Sequence, residues 1–110
     1  MESILTSIKK LLGISEEYEH FDSDIIMHIN SALMILTQLG VGPVEGFMIE
    51  DSTSTWIDFL GDKPYLEAAK SYIYLRVKLL FDPPSSAVIE SINRQITELE
   101  WRLNVAVESN

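Results

Sequence analysis

Residues 79–86 read LLFDPPSS, and no feature constrains the fold more. Proline cannot donate a helical hydrogen bond and clashes with the preceding turn, so adjacent prolines stop a helix. Asp82, before Pro83, is pushed out of the helical region as well. Long segments with helical periodicity lie on both sides. The upstream one, residues 64–81, admits Pro64 in its first turn, where the missing N–H has no partner to lose. The downstream one, residues 86–105, places Ile89, Ile92, Ile96, Leu99 and Leu103 on one stripe. Ser85 or Ser86 is suited to cap its start. A short, stiff corner between two long helices predicts an antiparallel pair, with Phe81 and Asp82 at the apex.

Three more helical segments are legible. Residues 2–12 place Ile4, Leu5, Ile8, Leu11 and Leu12 on one face, and Gly13 fits the cap that follows. Residues 15–20, SEEYEH, form a polar connector. Residues 22–39 carry Ile25, Ile29, Ala32, Leu36 and Leu39 at alternating steps of four and three, with Asp22 or Ser23 as cap and Gly40 as stop. A short helix is expected at 55–60, ending at Gly61. Between them, residues 40–54 contain three glycines and a proline, which excludes a helix. Phe47, Met48 and Ile49 have the composition of a short strand or one arm of a hairpin. The expected fold class is therefore all-α, a bundle of four to five helices with one long irregular loop at 40–54. A length of 110 residues suits a single domain, 1–110.

Several residues are out of place in such a bundle. Polar positions in 64–81 (Glu67, Lys70, Ser71, Tyr74 and Lys78) form one narrow face, and two apolar stripes fill the rest. So wide an apolar arc fits a central helix, or one with a stripe turned toward another subunit. Arg76 falls inside that arc and needs a partner, within the chain or across an interface. If its partner is buried, Arg76→Ala costs ~2 kcal/mol or more. Trp101 lies off the stripe of the last helix, on the side of Arg94. Glu90 with Arg94 and Glu98 with Arg102 stand in the favourable i, i+4 order. Trp and Arg are enriched at binding hot spots, which makes Arg94, Trp101 and Arg102 interface candidates. Arg76, Phe81 and Asp82 join them, as do Phe47 and Trp56 in and beside the loop.

The chemistry of a catalyst is missing. His20 and His28 are not at a ligand spacing, and no cysteine is present for thiolate or disulfide chemistry. GVGPVEG follows a helix and lacks the Gly-Lys-Ser/Thr ending of a phosphate loop. No enzyme activity, cofactor or metal is expected. The formal charge is −9, with residues 1–63 holding 11 acids against 3 bases. Phosphate binding needs clustered Lys and Arg, so nucleic-acid affinity is not expected. No stretch approaches the ~18 apolar residues of a membrane span. Lys9 and Lys10 interrupt the first apolar segment, so no signal peptide is expected.

The order of motifs adds to this. IKKLLGI is followed by FDSDIIMHINSALMILTQLGVG, DSTSTWIDFLGD, LLFDPPSS and ITELEWRL. Over roughly residues 4–103 this series resembles the head–tail connector, or head-completion adaptor, proteins of long-tailed phages and prophages. The resemblance implies an all-helical virion subunit, made in the bacterial cytoplasm, that forms a ring, usually twelve-fold, beneath the portal protein. Such a ring extends the DNA channel without reading sequence and offers a surface to the next tail or stopper protein. It implies that the C-terminal helix, with Trp101 and Arg102, lies toward the portal, and that no catalytic residue or cofactor is involved. The chain ends soon after ELEWRL, so a longer tail threading into the portal is not expected. The acidic composition alone also admits a small helical regulator or DNA mimic.

Overall fold

The computed structural model describes residues 2–109. Its elements are five helices: α1 (Ile4–Leu11), α2 (Asp22–Gln38), α3 (Trp56–Leu60), α4 (Leu66–Phe81) and α5 (Ser86–Ser109). α4 is the centre, flanked by α2 and α5, and α1 packs on α2. The assembly is a slab of 39 × 35 × 19 Å, about two helices thick.

Local chemistry sets most helix ends. The Ser3 hydroxyl accepts from the Thr6 N–H at 3.1 Å and caps α1. At the end of α2, Gly40 takes φ +86°, the Gly40 N–H reaches the Thr37 carbonyl and the Val41 N–H reaches the Leu36 carbonyl at 2.8 Å. This is a Schellman closure with Val41 buried beneath it, and α1 closes in the same way through Gly13 and Ile14. Thr55 and Asp58 cap α3 reciprocally.

The core matches the expected stripes in most places. Ile25, Ile29, Ala32 and Leu36 of α2 are buried with Ile4, Leu5 and Ile8 of α1. Both stripes of α4 have internal partners. Ala69, Ile73 and Val77 sit in the same core, and Tyr72 and Leu75 turn toward α5. The wide apolar arc is thus that of a central helix. α5 meets it through Ile92, Ile96 and Leu103, with Leu99 half-buried.

Five expectations are corrected. Neither Asp22 nor Ser23 caps α2: the N-cap is Phe21, which makes no side-chain cap bond, and Asp22 is drawn into an ion pair with Lys9. Residues 47–49 are not a strand. The Asn30 side chain donates to the Ile49 carbonyl at 2.9 Å and accepts from the Ile49 N–H at 2.8 Å, so one amide satisfies the backbone that a neighbouring strand would have paired. Leu11 and Leu80 are exposed rather than core. Pro64 precedes α4 instead of entering it, and α5 continues past 105 to Ser109. That extension has a purchase on α2: Asn104 donates to the Leu39 carbonyl at 3.4 Å, and Val107 packs against Gly40.

Candidate interaction surfaces

The corner between α4 and α5 is built as the prolines require. Asp82 leaves the helix at φ −146°, ψ 67°. Its carboxylate accepts from Lys78 at 2.8 Å, which raises the lysine pKa. Asp82 therefore answers a lysine one turn back. Phe81 is half-buried, edge-on to Phe21 at 5.3 Å, and Phe21 in turn meets His20 at 4.8 Å. The corner is tied to the connector between α1 and α2.

Arg76 finds its partner within the chain. Its guanidinium lies 3.6 Å from Glu100 of α5 and over the Tyr72 ring. The Tyr72 hydroxyl donates to the same carboxylate at 2.7 Å. Burial and that carboxylate together push the Tyr72 pKa well up. Arg76 and Glu100 keep 33% and 34% side-chain exposure. Removing Arg76 leaves Glu100 in contact with water, so the cost falls from the expected ~2 kcal/mol to about 1 kcal/mol or less.

Trp56 is not available to a partner. It is 3% exposed, and its indole N–H donates to the Ser7 hydroxyl at 3.0 Å. Lys70, paired with Glu2 at 3.0 Å, lies over the ring. The 55–60 segment is amphipathic with Trp56 inward, and the position of this aromatic in a loop-flanking helix gave no sign of that. Phe47 is half-buried against Phe59 at 5.3 Å.

Two apolar surfaces are left open. The first is the outer face of α5, where Trp101 is 66% exposed beside Asn93, Arg94, Thr97 and Glu98. Arg94 lies 3.8 Å from Glu90 and Arg102 3.1 Å from Glu98, and all four side chains are exposed. The second lies between α2 and the loop, an open hollow lined by Met34, Thr37, Gln38, Glu45, Phe47 and Met48. Met34 and Met48 in this lining are exposed, as are Met27, seven residues before Met34, and Val44 of the loop. The periodicity of α2 gave the inner stripe and left the methionines unremarked, although Met27 and Met34 are seven apart on its outer face.

One internal site escaped the sequence reading. Lys9 is 2% exposed. Its ammonium donates to the Glu16 carbonyl at 3.0 Å and the Tyr18 carbonyl at 2.8 Å, and pairs with Asp22 at 2.8 Å. Two carbonyls accept from the ammonium and the Asp22 carboxylate balances its charge, so a buried lysine fastens the connector to α1. The only available sign was that Lys9 follows Ile8 directly in an apolar run.

Among the described residues no group of three or more His, Asp or Glu is placed to hold a metal, and no helix is long and apolar enough to cross a membrane. What remains is a small helical protein whose open features are apolar surfaces rather than a cleft. A model of the phage connector protein family matches residues 4–110, and the chain belongs to that family. It is a bacteriophage head–tail connector, a structural component of the virion that works in contact with other head or tail proteins. This family is not an enzyme family, and membership sets aside the regulator or DNA-mimic alternative. Comparison with curated proteins and with solved structures gives no match.

Proposed function

We propose that this connector acts as a ring adaptor, docked on the portal protein and extending the DNA channel toward the tail or the next head-completion protein. The observation that carries the reading is the uncovered outer face of α5, centred on Trp101. A single subunit has no use for a tryptophan in water, whereas interfaces favour it. A ring is a heterologous assembly and needs two different faces on each subunit. The Trp101 face and the methionine hollow are two such faces, on different elements. The net charge of −9 suits a conduit, because an acidic wall repels the DNA backbone and lets it slide.

Light scattering and electron microscopy of the purified protein, alone and mixed with portal particles, test this. Closed rings, or portal particles bearing an added ring, are the expected result. A protein that stays monomeric and never joins portal particles overturns the reading.

A further inference from the structure

We infer that the ring contact is made by the Trp101 face of α5 of one copy entering the methionine hollow between α2 and the loop of the next. This rests on the ring reading and names its interface.

Charge selects the occupant. From residue 11 to residue 62 the chain contains no lysine or arginine, so neither lies on α2, α3 or the loop of residues 40–54. Glu45 lines the hollow, and Asp24, Glu50 and Asp51 are exposed farther along the same elements, toward the start of α2. The partner for such a face should bring cations and an apolar anchor together. This chain carries that combination on α5. Arg94 and Arg102 are exposed on either side of Trp101, held only by i, i+4 pairs worth a few tenths of a kcal/mol. Exchanging those weak pairs for Glu45 of a neighbour costs little, and it desolvates the indole against Met34, Phe47 and Met48.

Shape agrees. Trp101 projects from a helix whose opposite side is packed on α4, so it is a ridge. The hollow encloses about 420 Å³ and is open on one side. Methionine side chains are flexible and adapt to an aromatic ring, with favourable sulfur–aromatic contacts. Within one copy the two surfaces lie on different elements, one on α5 and the other on α2 with the loop that follows it. The contact is therefore head-to-tail and can propagate around a ring, and it does not close on itself as a symmetric dimer would.

The absence of cysteine gives a clean background for cross-linking. Glu45→Cys and Arg102→Cys are made as separate full-length variants, each checked for an unchanged thermal melt, then oxidised alone and mixed. A disulfide-linked dimer in the mixture, and its loss in either variant alone, is the expected result. Equal yields alone and mixed overturn the contact as random or symmetric. If oligomers are seen by sedimentation with no cross-link in the mixture, this contact is wrong and the ring reading stands. If the protein neither cross-links nor self-associates, in solution and in assembled particles alike, both fall together. As a second measurement, Trp101→Ala should weaken self-association about 30-fold, the loss of one hot-spot residue. Unchanged association would remove Trp101 from the interface whatever the cross-linking gives.

Discussion

Lys9 is the residue on which the N-terminal part of the molecule depends. Its stem runs inside the core, and its head donates to two carbonyls and is ion-paired with Asp22. Lys9→Ala removes the buried member of a pair whose carboxylate keeps 26% exposure, and it leaves two carbonyls without their donor. The expected cost is about 3 kcal/mol, read from the urea midpoint at unchanged slope. A cost below that of a surface pair would mean that water replaces the ammonium. Glu2 is the opposite case, an exposed carboxylate whose pKa is lowered chiefly by its hydrogen bond from Lys70. The sign follows from that direction. The folded pKa lies below the ordinary 4.5, so the stabilisation is complete above that pH and is lost as pH falls through the folded value. Melts of the wild type and Glu2→Gln should differ slightly at neutral pH, by ~0.5 kcal/mol at most, and converge in acid. A difference that grew in acid would contradict the pairing.

At the scale of elements, the legible part of the sequence was what repeats. The stripes of α1, α2 and α5 and the two-proline corner placed four helices and an antiparallel pair, because burial periodicity is written in local spacing. The loop was not legible, because what orders it is distant in sequence. Asn30 holds Ile49, and the Ile4 N–H reaches the Ser54 carbonyl at 3.0 Å, so a run with strand composition lies extended without a sheet. Trp56 and Trp101 divide the candidate surfaces in the same way. The helix phase of Trp101 put it outside the α5 stripe, and it is exposed. Trp56 opens a helix of five residues, too short for phase to tell inside from outside. The loop also contains its own fixed point. Gly42 has φ +93°, and a Cβ there would stand 2.5 Å from Phe59 Cε1. Gly42→Ala meets both a disfavoured backbone and a collision with a core ring whose neighbour is Phe47. A loss of about 2 kcal/mol is expected in thermal or urea unfolding, with Phe47 displaced from Phe59. Near-neutral behaviour would show that the loop shifts freely, and the hollow it walls would then not be preformed.

For the whole molecule the decisive quantity is charge. Each subunit carries −9, and the proposed ring would set many such charges side by side. At ionic strength near 0.01 M the screening length is about 30 Å, comparable to the slab itself, and at 0.15 M it is about 8 Å. Repulsion between whole subunits is therefore felt at low salt and largely removed at physiological salt. The interface proposed above pulls in both directions, since burial of Trp101 among methionines is indifferent to screening while the arginine–glutamate pairs are weakened by it. Only two exposed arginines are available per copy against a net of nine negative charges, so the long-range term governs. Self-association should strengthen as salt rises from low to physiological, measured by sedimentation velocity, and Arg102→Glu should weaken it at every salt concentration. Association that instead falls with salt would mean that local ion pairs hold the subunits together, and the apolar ridge and hollow would lose their role. The same field predicts no retention of double-stranded DNA by the protein in a gel-shift titration at any of these salts, because no cluster of bases exists to release counterions.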